Sequence, residues 1–340
     1  MTVSGLKSST SYTFTITATN VDGTSLVSES SLPVTTQVYV APLAAPAFTL
    51  SAAAETKTVN TAITGYTISS TGGTIASYAI SPAAPAGLAF NTATGVLSGT
   101  PSSTQSATAY TITATNATGS ATRTFTLTVS SVVYTFGQAG PGGGIIFYVS
   151  SAGFDCGSSF TSTGSPTGGK CNYLEAAPSL WAGGAADPKR LWAVSAKQST
   201  GLPEITDDFP ANNNSSAIGL GYKNSLAIVA QGNDNTTAAF VARGYNGGSK
   251  SDWYLPTTAE LNLLCQWARG VAPSVTTVCT GGSINSATYG ASSAGFVADN
   301  YWSSSEGSDD GAWLQTFLNG GQFNYGWKGG SQYVRPIRAF

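Results

Sequence analysis

The chain has 340 residues, 41% hydrophobic and only 9% charged, so it can fill two or three domain cores, while its surface relies on Ser, Thr, Gly and Asn rather than the ~25% charge of ordinary soluble domains, as in secreted or virion-surface β proteins. A net charge of −2, with 14 Lys and Arg forming no run, excludes a nucleic-acid partner. The absence of histidine removes the commonest general base, zinc ligand and member of nucleophilic triads, so no enzyme is expected.

At the N-terminus, Met1-Thr2-Val3-Ser4 lacks the basic start and apolar core of a signal peptide. No apolar run along the chain approaches the ~18 residues of a membrane span, so membrane insertion is not expected. Export would then depend on sequence upstream or on release within a phage particle. The hexapeptide Thr15-Ile16-Thr17-Ala18-Thr19-Asn20 recurs as Thr111-Ile112-Thr113-Ala114-Thr115-Asn116. Each copy is an alternating strand followed by a turn at Gly23 or Gly119. Their separation matches one β-sandwich module of ~100 residues.

Val3-Ser4-Gly5-Leu6, followed by Tyr12-Thr13-Phe14-Thr15-Ile16, resembles the last strands of a fibronectin type III domain. Residues 1–38 are too short for the whole module, and an isolated hairpin is marginal in water. The expectation is a C-terminal part of a longer protein, whose missing N-terminal part completes this module and could oligomerise the chain; otherwise the segment pairs with something else. Residues 39–45, with Pro42 before Pro46, read as an extended linker. In residues 46–130, Ala86-Gly87-Leu88-Ala89-Phe90-Asn91 and Thr94-Gly95-Val96-Leu97-Ser98-Gly99-Thr100-Pro101 resemble the bacterial immunoglobulin-like, cadherin-like family. That resemblance implies a β-sandwich acting as a spacer.

After Ser131 the composition changes: every Trp and all four Cys lie beyond it. Asn224 to Gly232 reads as a helix, with Asn224 as N-cap and Gly232 just past its end. Thr237 to Arg243 reads as a helical turn or two. Thr257-Thr258-Ala259-Glu260, after Pro256, is a capping box opening a helix through Trp267. Short strands follow to Phe340. The fold class is therefore multidomain: all-β sandwich modules followed by an α+β domain over residues 131–340.

In that domain, Gly140-Pro141-Gly142-Gly143-Gly144-Ile145-Ile146-Phe147-Tyr148-Val149, Leu174-Glu175-Ala176-Ala177-Pro178, Ala217-Ile218-Gly219-Leu220-Gly221, Trp253-Tyr254-Leu255-Pro256, Tyr301-Trp302-Ser303-Ser304-Ser305-Glu306 and Tyr333-Val334-Arg335-Pro336-Ile337-Arg338-Ala339-Phe340 occur in an order that resembles the C-terminal domain of the bacterial collagen-like adhesin family. That family is a branch of the C-type-lectin-like fold, related to formylglycine-generating enzymes. The resemblance implies binding of a glycan or a protein receptor on a cell surface. It also implies kinship with the variable proteins of diversity-generating retroelements, whose varied positions correspond here to Gly307–Tyr333. Asp309, Asp310, Phe323, Asn324, Tyr325 and Trp327 fall in that segment.

Phe323, Tyr325 and Trp327 alternate at spacing two among glycines. A regular strand puts them on one face, and the glycines offer that face no packing partners, so these six residues are the candidate ligand-binding set. Lys328 reads as a rim charge. Trp302 and Trp313 read as core, and Arg335 and Arg338 as partners of internal carboxylates such as Glu175 or Glu260. The four cysteines allow three pairings. Cys156 with Cys171 and Cys265 with Cys279 would each close a short loop, whereas a redox or copper cysteine pair is the formylglycine-generating alternative. Asp309-Asp310 and Asp207-Asp208 could hold calcium but lack EF-hand spacing, and a plain turn is the preferred reading of both; no other cofactor is expected. The sequence thus points to an extracellular adhesin or phage receptor-binding protein, on a bacterial surface or a virion. The alternatives are a ligand-free phage tail or decoration protein and an oxidoreductase of formylglycine-generating type.

Overall fold

In the computed structural model, which describes residues 2–156, 169–184, 186–203, 205, 217–284 and 295–340, the first copy of the repeated hexapeptide closes a thin ribbon. Its strands are β1 (Ser11–Tyr12), β2 (Thr19–Asn20), β3 (Gly23–Thr24) and β4 (Val34–Thr35), with β1 paired to β4 and β2 to β3. Between the pairs, the Ser25, Ser28 and Ser31 hydroxyls accept from the backbone N–H of Ala18, Ile16 and Phe14. One side steps by three residues and the other by two, so no regular ladder forms. Ile16, Leu26 and Leu32 are exposed.

The second copy builds a sandwich. The strands are β5 (Phe48–Leu50), β6 (Ala54–Thr58), β7 (Ile68–Ser70), β8 (Ser77–Ser81), β9 (Leu88–Phe90), β10 (Leu97–Gly99), β11 (Gln105–Asn116) and β12 (Gly119–Ser130). The main sheet runs β6-β12-β11-β8, with pairs β5–β7 and β9–β10. Alternation buries Tyr110, Ile112 and Ala114 of β11 and Phe125, Leu127 and Val129 of β12, as a half-buried sheet requires. Phe48, Tyr66 and Leu97 pack on that face. The turn is the same in both copies: Asn20 faces Gly23, and Asn116 faces Gly119. The Asn116 amide also donates to the Ala44 and Thr74 carbonyls.

Residues Met1–Val132 and Val133–Phe340 form two compact units. The second unit is α+β. A three-stranded sheet, β13-β14-β20, joins β13 (Ile145–Asp155) and β14 (Lys170–Ala176) to β20 (Ile337–Ala339). A five-stranded sheet, β15-β19-β16-β17-β18, contains β15 (Lys189–Leu191), β16 (Asn300–Glu306), β17 (Gly311–Thr316), β18 (Gln322–Trp327) and β19 (Ser331–Tyr333). Among the described residues, three α-helices, α1 (Gly221–Ala230), α2 (Ala238–Gly244) and α3 (Thr258–Ala268), lie between β15 and β16 in the chain. Among the described residues no helix is long and apolar enough to cross a membrane.

The α3 capping box forms as expected: Thr257 Oγ1 accepts from the Glu260 N–H, and Glu260 accepts from the Thr257 N–H. The start of α1 does not. Leu220 is its N-cap, and Asn224 is buried three residues inside the helix, donating to Ser304 Oγ. The helix begins earlier because Gly221 lets it start against Tyr254 and Glu260; a Cβ there would lie 2.5 Å from both.

Two cores follow. One packs Trp267, Leu261 and Leu264 of α3 against Phe147, Leu174, Tyr301 and Ile337, and contains all four cysteines. The other packs Ile228, Ala238 and Ala242 of α1 and α2 against Trp192, Trp302, Ala312 and Leu314. Buried ion pairs tie the strands together. Arg338 makes two bonds to Asp252, at 2.8 and 2.6 Å, and one to Glu175 at 3.1 Å; Arg335 pairs with Asp187 at 2.7 Å. Of the two carboxylates anticipated for these arginines, Glu175 is used and Glu260 is not. The Gly140–Gly144 block wraps Glu175, which accepts from the Gly142 and Gly144 N–H groups at 2.9 and 2.7 Å. A Cβ on Gly142 would meet the Trp253 ring at 2.4 Å. Glu260 is fully buried, and burial pushes its pKa up to about 7 against the hydrogen bonds from Thr257, Gly219 and Tyr254.

Candidate binding face

β16, β17 and β18 form an antiparallel meander at one edge of the five-stranded sheet. The turn from β16 to β17 carries Asp309 and Asp310, both exposed. Ser308 Oγ donates to the Asp310 carboxylate, and the Asp310 carbonyl accepts from the Lys328 N–H. Asp207-Asp208 lies outside the described residues. Among the described residues no group of three or more His, Cys, Asp or Glu is placed to hold a metal ion.

Lys328 is not a rim charge. Its side chain is fully buried beneath this turn, 2.5 Å from Glu306 Oε1, itself fully buried. Its ammonium also donates to the Asp309 carbonyl at 2.6 Å and the Thr200 carbonyl at 3.2 Å, and sits 4.9 Å from the Trp192 ring centre. The other Glu306 oxygen accepts from the Leu202 N–H at 2.6 Å. The chain turns inward at Lys328 because its neighbour Trp327 lies on the outer side of β18, and alternation sends the next side chain in.

The expected common face for the three aromatics is interrupted. Leu314 faces Phe323 across the β17–β18 pair, but Ala312 faces Gly326. Opposite residues share a face, so Phe323 and Gly326, three apart, both lie on the side of Leu314 and Ala312. A β-bulge at Asn324–Tyr325 absorbs the extra residue and puts Trp327 on the opposite side from Phe323. Phe323 is half-buried against the second core, whereas Tyr325 is 73% exposed and Trp327 61%. Asn324 is exposed. The glycines do have packing partners: a Cβ on Gly326 would lie 2.6 Å from Leu314 and 2.7 Å from the Trp302 ring. Trp302 is core, as expected, while Trp313 is only half-buried.

The bulge opens a cleft of about 300 Å³ lined by Asn300, Leu314, Phe323, Tyr325 and Gly326. The Phe323 and Tyr325 rings meet edge to face, 5.6 Å apart. Asn300 and Leu314 were not recognised from sequence, because their place beside Phe323 depends on the pairing of β16 with β17. Both expected disulfides are present, Cys156–Cys171 and Cys265–Cys279, with all four side chains buried in the first core. They brace the frame behind this face and have no part in the cleft.

Residues 41–130 match the family described as "Putative Ig domain", in keeping with the strand pattern of the sandwich. No curated protein sequence matches the chain. Among solved structures, a fimbrial protein from Bacteroides ovatus is similar over 87% of this chain and 71% of its own, at 13% identity and a TM-score of 0.37. A SusE-like surface-located polysaccharide-binding protein from the heparin utilisation locus of Bacteroides thetaiotaomicron is similar over 36% of this chain, at 20% identity and a TM-score of 0.23. A candidate α-galactosidase from Bacteroides fragilis is similar over 31%, at 18% identity and a TM-score of 0.22. The chain spans only 19% of each of the last two proteins. Similarity at these scores carries no functional argument.

Proposed function

We propose that this chain is a non-enzymatic extracellular binding protein of a bacterial surface or phage virion, in which residues 131–340 form a C-type-lectin-like ligand-binding domain and the immunoglobulin-like module spaces it. The ligand is a glycan or a protein receptor on a cell surface. The observation that carries the reading is Tyr325, 73% exposed on a bulged edge strand at an aromatic cleft that it lines together with Phe323; Trp327, also exposed, offers a second aromatic on the other side of that strand. Exposed aromatic clusters on a rigid frame mark interaction sites, and tyrosine and tryptophan are the side chains most often found as binding anchors. The frame is stiff because its charges are paired inside, so this surface can differ in sequence without disturbing the core. Asp309, Asp310 and Asn324 supply polar contacts around the aromatics.

Tyr325→Ala and Trp327→Ala test the reading, each measured for binding to a glycan array and to bacterial cells, and for melting temperature. Loss of about tenfold or more in affinity, with melting nearly unchanged, supports it. Melting that collapses together with binding would make these side chains structural.

A further inference from the structure

A second aromatic cleft lies beside α2, whose N-cap Thr237 bridges to Leu191 of β15. It measures about 420 Å³, and its lining includes Trp181, Asn235, Phe240, Val241, Tyr245 and Asn246. Trp181 precedes β15, the edge strand opposite β18. The two clefts share no lining residue.

The walls are preorganised. The Trp181 indole N–H donates to Asp187 Oδ1 at 2.9 Å, and Asp187 is locked by Arg335 at 2.7 Å and by the Tyr301 hydroxyl at 2.7 Å. The Trp181 ring packs edge-on against Tyr245, 5.6 Å away, and Tyr245 packs against the buried Trp253, 4.9 Å away. Trp181 and Tyr245 are nonetheless only half-buried, and Phe240, on the first turn of α2, is exposed. Asn235 and Asn246 are exposed, and among the described residues their carboxamides have no hydrogen-bond partner. No charged side chain lines the cleft.

This chemistry selects one class of ligand. Aromatic faces pack against the C–H face of a pyranose ring. A carboxamide offers both a donor and an acceptor, which suits the paired hydroxyls of a sugar. A lining without charge gives no partner to an acidic sugar, a phosphate or an ammonium group, and the volume lies in the range of small-molecule sites. We propose that this cleft is a second binding site, separate from the β18 face, for a neutral pyranose sugar.

The test is saturation-transfer-difference NMR on the full 340-residue chain. The probes are the methyl glycosides of glucose, galactose, mannose and N-acetylglucosamine, with methyl glucuronide as the charged control. The proteins are the wild type, the double variant Asn235→Ala/Asn246→Ala, Phe240→Ala and Tyr325→Ala. The expected result is transfer to at least one neutral glycoside and none to the glucuronide, with affinity reduced about tenfold or more in the asparagine double variant and in Phe240→Ala but unchanged in Tyr325→Ala. Both asparagines are exposed, so the double variant should keep its melting temperature; Phe240→Ala provides an independent check. The proposal is overturned if no neutral glycoside receives saturation, if the glucuronide binds equally well, or if the asparagine and Phe240 variants bind like wild type. Loss confined to Tyr325→Ala would overturn it while supporting the β18 face as the sugar site.

Discussion

Replacing Lys328 with Met separates a buried ion pair from a surface charge. Lys328 and Glu306 have no exposed side-chain surface, and their charged atoms lie 2.5 Å apart. Removing the lysine leaves a fully buried carboxylate without its cation, the Leu202 N–H still donating to its second oxygen. It also frees the Asp309 and Thr200 carbonyls that the ammonium holds. Breaking one side of a buried pair costs about 3–5 kcal/mol. For a unit the size of Val133–Phe340, each kcal/mol shifts melting by about 2–4 °C, so a fall of roughly 6–20 °C is expected. Adding Glu306→Leu should recover part of this loss, because the stranded charge disappears and the two substitutions are not additive. The assay is a thermal melt by circular dichroism of wild type, the two single variants and the double variant, at low and high salt. A shift below about 2 °C for Lys328→Met, weakening further in salt, is how a rim charge behaves, and it would refute the argument.

Three other outcomes are expected. Reduction of either disulfide, each closing a loop of about 15 residues, should cost about 3 kcal/mol on the chain-entropy account; native protein should resist thiol labelling without denaturant, and four freely labelling thiols would contradict the pairing. Glu260 has a folded pKa of about 7, above the 4.5 of an ordinary glutamate, so the folded state binds more protons between these values and stability falls as pH rises from about 4.5 to 7, by at most ~1.4 kcal/mol per pH unit; Glu260→Gln should flatten that part of the melting profile, and an unchanged profile would show that Glu260 is not the source. Expressed separately, residues 133–340 should melt cooperatively and residues 1–38 should show no transition, since the ribbon leaves its apolar side chains exposed; a cooperative melt from 1–38 would contradict this.

What could be read along the chain was local. The capping box at Thr257 and Glu260 is complete within four residues, and the turn after Thr-Ile-Thr-Ala-Thr-Asn forms twice because the Asn side chain holds the backbone N–H two residues on, at Asp22 and at Thr118. Period-two alternation identified the buried face of β11 and β12 for the same reason: each side chain's direction follows from its neighbours. The cysteine pairs close loops short enough for sequence proximity to suggest them. What needed the tertiary structure was anything set by a partner strand. The second copy of the hexapeptide lies within a twelve-residue strand flanked by β8 and β12, whereas in the first copy serine hydroxyls interleave with backbone bonds and only two residues pair as a strand. The sides of the sheet on which Tyr325 and Trp327 emerge depend on a bulge located by β17, and the burial of Lys328 depends on Glu306 and Thr200, residues distant in sequence. A strand's own residues set its alternation, but where that alternation breaks, and what a charge finds on the inside, are set by pairing energies between segments that meet only in the folded chain.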